Sequence, residues 1–377
     1  MNIWKDCEQV PLTSLLSFIV DNRGKTVPLI DDKNGIKLIA TNCIKNESLY
    51  PVYEKVRFLS EETYKTWFRA HPRPGDIIFV NKGTPGKVAF VPDPIDFCIA
   101  QDMMAFRVNP EIVYNKYLFA VLRSAKIQEQ IRITSVGDVI PHFKKEFLNE
   151  IKIPLPDMKI QKYLGDMYFM YSEKIELNNK INTNLEQQAQ ALFKNWFVDS
   201  EPFGGKMPEG WKVGKLSELI NVKYGKDHKK LDDENYPVYG SGGIMRYVDK
   251  FLYDKESVLI PRKGTLNNVF YINEPFWSVD TMFYTEMKKE NIAKYVYFFV
   301  KSKDLNAMNA GSAVPSMTTE ILNAMEVVIP SDEYLERFET IVSPMFKQIK
   351  QCIIENEKLV SLRDTLLPKL MNGELKI

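Results

Sequence analysis

One internal repeat organises this chain more strongly than any other feature of its sequence. The strand-like segment 75–84, which ends in Lys-Gly-Thr, corresponds to 256–265, which ends in the same three residues. Further on, 151–156 corresponds to 325–330, at an offset of 174 residues that continues into the segments beyond. Several matches in the same order predict two copies of one structural unit, related by a pseudo-two-fold arrangement.

Each copy begins with a domain that the sequence predicts to be strand-rich and of mixed α/β class. Short runs of alternating apolar residues are separated by Gly, Pro, Asn and Asp, a pattern that is typical of strands joined by turns. We place the two domains at residues 1–156 and 201–330. A helical segment follows each domain, at 157–200 and at 331–377, and the second ends in a short C-terminal tail.

Both helical segments carry a heptad pattern. Apolar residues recur at alternating steps of four and three; Asn182 and Asn356 occupy equivalent positions in the two segments, and Asn178 lies one step before Asn182. The pattern predicts two long antiparallel coiled-coil helices between the domains, with the asparagines limiting the register. The alternative is that each helix packs against its own domain. The residues predicted to pair the helices are Leu164, Tyr171, Ile175, Asn182, Leu185, Leu192, Phe338, Met345, Ile349, Asn356, Leu359 and Leu366.

Composition excludes several classes of function. The formal net charge is +1, so a surface that binds a polyanion must be a local patch. No apolar run approaches the roughly eighteen residues that cross a bilayer, and the first residues lack the layout of a signal peptide. We therefore expect no membrane partner and a cytoplasmic location. The four cysteines are far apart in the sequence and predict buried free thiols.

Catalytic motifs are missing from the sequence as well. There is no phosphate-binding loop of the form G-x-x-x-x-G-K-[ST], and no N-P-P-[YF] or D-P-P-[YF] run of the kind that amino-methyltransferases use. The three histidines are scattered and suggest neither a triad nor a metal cage. A nuclease cluster around Asp93, Asp96 and Asp102 is disfavoured, because the second copy keeps only Asp280. We predict no catalytic site and no metal site in this chain.

The helical segments also carry a family resemblance. Residues 174–182, Lys-Ile-Glu-Leu-Asn-Asn-Lys-Ile-Asn, and the segment 185–199 resemble the central conserved region of type I restriction–modification specificity subunits. Residues 359–374, Leu-Val-Ser-Leu-Arg-Asp-Thr-Leu-Leu-Pro-Lys-Leu-Met-Asn-Gly-Glu, resemble the distal conserved region of that family. The order of domain, helix, domain and helix is also that of the family, so the resemblance covers essentially the whole chain.

This resemblance implies a function in defence against foreign DNA. It implies that the strand-rich domains are target recognition domains, each reading one half of a split site on double-stranded DNA. It implies that the helices act as a spacer and as a docking surface for two modification methyltransferase subunits. It further implies that S-adenosylmethionine belongs to the modification partner, that ATP and Mg belong to restriction subunits, and that this chain holds no cofactor. The alternative is a non-enzymatic two-domain adaptor on a coiled coil, which binds a protein or glycan and shows no salt-dependent affinity for DNA.

Candidate DNA contacts lie in polar loops that contain glycine. The loops 81–87 and 262–268 occupy equivalent places in the two copies, and glycine permits a close approach of the backbone. Lys and Thr bind phosphate, whereas Arg and Asn can bind base edges through two hydrogen bonds. Such loops are also typical of ordinary turns between strands. The predicted contacts are Lys25, Asn81, Lys82, Thr84, Lys87, Lys226, Tyr239, Ser241, Arg246, Arg262, Lys263, Thr265, Asn267 and Asn268.

Overall fold

The structure, a computed structural model, describes residues 2–22, 24, 26–137, 139–308 and 315–374. Within these residues each copy of the repeat forms nine strands. The strands of the first copy are β1 Glu8–Pro11, β2 Leu16–Val20, β3 Ile36–Ile39, β4 Arg57–Leu59, β5 Ile77–Val80, β6 Val88–Phe90, β7 Phe97–Ile99, β8 Met103–Val108 and β9 Lys152–Leu155. The strands of the second copy are β10 Lys212–Lys215, β11 Ile220–Tyr224, β12 Tyr236–Gly240, β13 Gly243–Val248, β14 Ser257–Pro261, β15 Phe270–Ile272, β16 Trp277–Ser278, β17 Met282–Met287 and β18 Glu326–Ile329.

The two copies share one strand topology. The four-stranded sheets have the orders β2-β8-β5-β6 and β11-β17-β14-β15, and the three-stranded sheets have the orders β4-β3-β7 and β13-β12-β16. The strand pairs β1-β9 and β10-β18 complete each copy. In each three-stranded sheet the central strand pairs in parallel with one neighbour, β3 with β7 in the first copy and β12 with β16 in the second. This strand-by-strand correspondence confirms the internal repeat.

The helices are α1 Ile3–Asp6, α2 Glu61–Thr66, α3 Asn115–Leu122, α4 Ala125–Thr134, α5 Met158–Phe193, α6 Ala293–Lys301, α7 Thr319–Ala324 and α8 Asp332–Met371. The long helix α5 begins where the Oδ1 atom of Asp157 accepts a hydrogen bond from the backbone N–H of Ile160, at 3.0 Å, which caps the helix. After Phe193 it continues as a π-helical turn, Lys194–Val198. In the described residues, no helix combines the length and the apolar character that crossing a bilayer needs.

The central strand of each four-stranded sheet explains why the cores lie where they do. All four residues of β5 are buried, and their side chains alternate between the two faces of the sheet. Ile77 and Phe79 pack into one core with α3, whereas Ile78 and Val80 pack into a second core towards the three-stranded sheet. In β14 the same alternation separates Val258 and Ile260 from Leu259. The apolar runs of β5 and β14 are therefore strands that are buried on both faces of the sheet.

The chain divides into two compact units. The first comprises Met1–Lys180 with Cys352–Ile377, and the second comprises Ile181–Gln351. Each unit therefore contains one strand-rich domain together with part of α5 and part of α8. The sequence-based boundaries were drawn at the ends of the helices, whereas the compact units divide both helices in their middle.

In the first unit the two long helices run antiparallel and pack against each other. The Nδ2 atom of Asn178 donates a hydrogen bond to Oδ1 of Asn356, at 2.9 Å. Nearer the start of α5, the guanidinium of Arg363 lies 5.4 Å from the ring centroid of Tyr168. Residues nearer the start of α5 contact residues nearer the end of α8, so the helices are antiparallel, as predicted.

In the second unit aromatic residues join the same two helices. The ring centroids of Phe193 and Phe338 lie 6.4 Å apart, and Ala189 and Val342 belong to the same core as this pair. Nearby, Glu186 of α5 accepts hydrogen bonds from the hydroxyl of Tyr297 and, at 2.5 Å, from Nζ of Lys301, both on α6. The second half of α5 is thus held to the second strand-rich domain by polar contacts as well as by the core.

Every residue that was predicted to pair the helices is buried or half-buried. Leu164, Ile175 and Phe338 are buried. The half-buried residues are Tyr171, Asn182, Leu185, Leu192, Met345, Ile349, Asn356, Leu359 and Leu366. The alternative prediction also holds in part, because Leu164 of α5 belongs to the core of the first domain and Val342 of α8 belongs to the core of the second. The helices therefore both pair and pack on the domains.

Candidate nucleic-acid interface

In the first unit the Lys-Gly-Thr loop, residues 81–87, is tied to a hairpin that spans residues 136–142. The backbone N–H of Asn81 donates to the carbonyl of Asp102 at 3.0 Å, and its carbonyl accepts from the N–H of Phe143 at 2.7 Å. Lys82 forms an isolated antiparallel bridge with His142. The N–H of Gly83 donates to the carbonyl of Pro141 at 2.9 Å. The loop and the hairpin therefore form one surface.

The second unit repeats this arrangement at equivalent residues. The N–H of Arg262 donates to the carbonyl of Thr281 at 2.9 Å, and its carbonyl accepts from the N–H of Met317 at 2.9 Å. Lys263 bridges Ser316 as Lys82 bridges His142. Two loops that the sequence singled out are thus held by the same backbone hydrogen bonds in both copies.

A further polar loop joins this surface in the second unit. The Nδ2 atom of Asn268 donates to the carbonyl of Ser241 at 2.7 Å. A Cβ atom added to Gly264, which has a φ of +87°, would lie 2.7 Å from Oγ of Ser241. The loop 262–268 and the turn 240–243 are therefore neighbours, as a shared binding surface requires.

The structure places most of the predicted contacts at or near the surface. Exposed residues are Lys82, Thr84, Lys226, Lys263, Thr265 and Asn267, and half-buried residues are Lys87, Ser241, Arg246, Arg262 and Asn268. Lys25 lies outside the described residues. Among the described residues, no carboxylate pairs with Lys82, Lys87, Lys226 or Lys263 within 4.0 Å. These lysines are available to phosphate.

Two of the predicted contacts are buried, and their assignment is corrected. Asn81 is 1% exposed and directly follows the buried strand β5. Tyr239 is 7% exposed and packs against Phe270 and Phe276, with ring centroids 5.8 and 6.3 Å apart. Asn81 follows a strand that is buried on both faces, and Tyr239 lies within β12, where every residue after the first is buried. A polar neighbourhood in the sequence therefore did not reveal that both residues are buried.

Two other predicted contacts already have partners within the protein. Arg246 forms an ion pair with Asp233 at 2.7 Å and donates to the carbonyl of Leu231 at 2.8 Å. Asn267 donates to Asp304 at 3.2 Å and accepts from the N–H of Asn306 at 3.1 Å. These side chains shape their loops and must exchange partners before they can contact a base.

Arg262 is placed differently from the exposed lysines. Its guanidinium lies 5.4 Å from the ring centroid of Tyr224, which is 53% exposed. It also donates to the carbonyl of Asp280 at 3.4 Å. An arginine held over an exposed aromatic ring is oriented in advance for a planar ligand. Tyr224 was not among the predicted contacts, although it lies in the basic motif Lys223–Lys226, which includes the predicted contact Lys226.

The hairpin 136–142 was also missed as a candidate. Val139 is 92% exposed and Ile140 is 56% exposed. The sequence carried a signal, because an apolar residue stands directly before proline in both copies, at Ile140-Pro141 and at Val314-Pro315. Residues 309–314 of the second copy lie outside the described part of the chain.

In the part of the chain that the structure describes, no three His, Cys, Asp or Glu side chains are grouped so that they could hold a metal ion. The surface formed by the loops is instead rich in lysine, hydroxyl, amide and backbone N–H groups, which are the groups that bind a polyanion.

The duplicated strand topology, the two antiparallel helices and the matched polar loops define a two-repeat protein with an equivalent polar loop in each unit. The family model for the type I restriction modification DNA specificity domain matches residues 7–187 and 208–362. The chain therefore belongs to the type I restriction–modification specificity subunit family, and the resemblance seen in the sequence is confirmed.

Individual relatives agree with this assignment. The MjaIX type I restriction enzyme specificity subunit of Methanocaldococcus jannaschii is 25% identical over 80% of this chain and 78% of its own length. The HindI specificity subunit of Haemophilus influenzae is 23% identical over 80% of this chain and 86% of its own length. A crystal structure of a type I restriction–modification S subunit from M. genitalium superposes with a TM-score of 0.64. At 19% identity, with 97% of this chain and 96% of that chain covered, it shows that the fold is shared.

Proposed function

We propose that this chain reads a bipartite target on double-stranded DNA, with one half-site for each strand-rich domain. In this proposal it directs two modification methyltransferase subunits, and restriction subunits, to that target in the cytoplasm. The chain contributes recognition and no catalytic group. S-adenosylmethionine is bound by the modification partner, and ATP and Mg are bound by the restriction partner.

One observation carries the proposal: the same polar loop, held by the same backbone hydrogen bonds, occurs once in each unit. Lys82 and Thr84 in the first unit, and Lys263 and Thr265 in the second, are exposed at equivalent positions. Lysines without an internal ion-pair partner bind phosphate at little cost, because no existing contact is broken. Two equivalent surfaces in one chain suit a linear ligand with two separated sites.

The test is methyl transfer by purified components. The full chain is combined with its modification methyltransferase, radiolabelled S-adenosylmethionine and genomic DNA from a host that lacks the system. We expect label in DNA only when both proteins are present. Label transferred by this chain alone, or by the methyltransferase equally well without it, contradicts the proposal.

The adaptor alternative makes a different prediction about DNA. A protein that neutralises several phosphates binds DNA with an affinity that falls steeply as salt rises. We expect the assembled complex to show this dependence between roughly 50 and 200 mM salt. An adaptor for protein or glycan shows no such dependence, so a flat response favours that alternative.

A further inference from the structure

The most exposed large apolar side chain in the described residues lies at the tip of the hairpin 136–142. Val139 is 92% exposed, and its neighbour Ile140 is 56% exposed. Exposed apolar groups that cluster commonly mark a surface that contacts another molecule. Both residues are β-branched and hold few rotamers, so the tip presents a stiff apolar edge.

This tip is held firmly at its base. The backbone N–H groups of Val136 and His142 donate to each other's carbonyls at 2.9 and 2.8 Å. Gly137 adopts a φ of +97°, a backbone conformation that favours glycine, which lets the chain turn. Directly after the hairpin, Phe143 is fully buried and its ring packs against Phe79 at 5.4 Å. The chain is therefore anchored on both sides of Val139 and Ile140.

The surroundings of the tip favour a nucleic acid over a protein. The hairpin pairs with the loop of Lys82, and Lys144 follows it with an exposed side chain. Neither lysine has an ion-pair partner among the described residues. Two apolar side chains offer far less area than the roughly 800 Å² per partner of a stable protein interface. Apolar tips flanked by cations are instead the form that DNA-kinking wedges take.

We propose that Val139 and Ile140 form an apolar wedge that inserts between stacked base pairs of the half-site read by the first unit. The wedge rests on the proposed DNA-reading function and adds a second means of selectivity to it. Unstacking costs least at flexible base steps, so a wedge favours target sequences that open readily, at positions that no polar side chain contacts.

The sequence suggests that the wedge occurs in both copies. Val314-Pro315 occupies the position of Ile140-Pro141, and the bridge of Lys263 with Ser316 repeats that of Lys82 with His142. The proposal is argued from the first unit, where the hairpin is described on both sides of its tip.

The test measures base unstacking by the full chain assembled with its modification methyltransferase. The probe is a duplex that carries the sequence that this complex methylates. 2-Aminopurine is placed in turn at each position of the first half-site. Emission of this adenine analogue rises when its base is unstacked. We expect a rise at one base step with the unaltered chain, and loss of that rise with the double variant Val139→Ser/Ile140→Ser. The double variant should also bind about tenfold more weakly, with an unchanged dependence on salt.

Two matched variants separate the wedge from its surroundings. Ile133→Ser removes an apolar side chain that is 70% exposed on α4, outside the hairpin 136–142, and should leave emission and affinity unchanged. Lys82→Ala should keep the emission rise and lower the salt slope by about one. The wedge is contradicted if the unaltered complex binds without unstacking, or if Ile133→Ser has the same effect as the double variant. It is also contradicted if the double variant no longer assembles with the methyltransferase, since the tip would then be a protein contact. Absence of any binding by the unaltered complex defeats the proposed function as well.

Discussion

At the scale of single residues, the candidate contacts fall into distinct groups. Lys82 and Lys263 are exposed and unpaired among the described residues, whereas Arg262 is oriented by the ring of Tyr224. A point charge on a flexible stem suits phosphate, and a planar, pre-oriented guanidinium suits the two acceptors of a guanine edge. The two kinds of side chain should therefore contribute differently to affinity and to target choice.

Arg262→Ala should weaken recognition of the half-site read by the second unit and leave the other half-site unchanged. Loss of a bidentate base contact costs roughly 1–3 kcal/mol and relaxes selectivity at one position. Lys82→Ala should instead weaken binding to all sequences about equally. The measurement is competition binding with duplexes that carry single base changes in either half-site. Unchanged target choice and affinity in both variants identifies these loops as ordinary turns.

Gly225 explains the basic motif Lys223–Lys226 in structural terms. A Cβ atom at this position would lie 2.0 Å from the carbonyl oxygen of Val279 and 2.5 Å from that of Ser278. The glycine is therefore required by the close approach of two backbone segments, whatever the lysines beside it bind.

Gly225→Ala should destabilise the second unit by more than about 2 kcal/mol, because the backbone segments must separate. Gly242→Ala is the matched control, since a Cβ there would meet nothing within 4 Å. Thermal unfolding of the two variants measures the difference. Equal unfolding temperatures in the two variants would show that the backbone is less tightly packed at Gly225 than described.

Residue placement also shows what the sequence could and could not predict. The matching Lys-Gly-Thr motifs identified the loops, since glycine and lysine stand at the same positions in both copies. Burial of Asn81 and Tyr239 could not be read in this way, because it depends on how other parts of the domain pack around β5 and β12. The exposed tip of Val139 was hidden for the same reason, since apolar residues are expected inside a protein and only tertiary structure shows that these project.

At the scale of elements, the residues through which α5 and α8 pair (the helix seam) were predictable, because a heptad repeat depends on local sequence alone. Its polar layer was predicted at Asn182 and Asn356, and the hydrogen bond in the structure joins Asn356 with Asn178. Asn178 is fully buried, and its Oδ1 atom has no hydrogen-bond partner. Local sequence does not distinguish Asn178 from Asn182 as the partner of Asn356, because the choice depends on the axial alignment of the helices.

Replacing both asparagines, Asn178→Leu with Asn356→Leu, should raise the free energy of unfolding by about 1–2 kcal/mol. The double change removes the buried polar atoms together. Asn356→Leu alone should destabilise the chain, because it takes away an acceptor from the buried Nδ2 of Asn178. Urea unfolding compares the variants. A double variant that is less stable than the single one contradicts this account of the layer.

The contact between α5 and α6 in the second unit should make stability depend on pH. Burial tends to raise the pKa of Glu186, but hydrogen bonds from Lys301 and Tyr297 outweigh it and hold that pKa below its ordinary value of 4.5. A carboxylate with a lowered pKa stabilises the folded state above pH 4.5 and loses this contribution as the pH falls through the folded pKa.

Glu186→Gln should lower the free energy of unfolding by about 1 kcal/mol at pH 7, an amount kept small by partial solvent screening. The difference from the unaltered chain should shrink as the solution is made more acidic than the ordinary glutamate pKa. Urea unfolding at neutral and acidic pH tests this. Glu333→Gln, which breaks an exposed ion pair with Arg337, is the control and should have little effect at either pH. A constant difference across pH would exclude Glu186 as the titrating group.

At the scale of the whole molecule, the central feature is that two equivalent surfaces belong to one chain with two long helices. The repeat made the fold class predictable, since each copy must bury its own strands and helix faces in the same way. A helix of 36 residues, the length of α5, extends about 54 Å, and major-groove faces on one side of B-DNA recur about every 34–36 Å. We therefore expect the helices to act as a ruler for the gap between half-sites.

Lengthening both helices by one heptad should lengthen that gap. Seven residues are inserted between Lys180 and Ile181 and seven between Gln351 and Cys352, where both helices pass from one unit to the other. Both positions are preferable to an insertion beside Ala189, because Ala189 is fully buried in the second core. A heptad preserves the seam and adds about 10 Å, which corresponds to roughly three base pairs at 3.4 Å each. Seven residues inserted after Gly205, outside the helices, are the control.

Methylome sequencing tests this central claim most directly, in cells that express the modification partner with the unaltered chain, the lengthened chain or the control. The unaltered chain should direct methylation to a split site, and the control should keep that site. The lengthened chain should keep both half-sites and widen only the bases between them. A continuous target for the unaltered chain, or an active lengthened chain that keeps the original gap, contradicts the account of two readers spaced by paired helices.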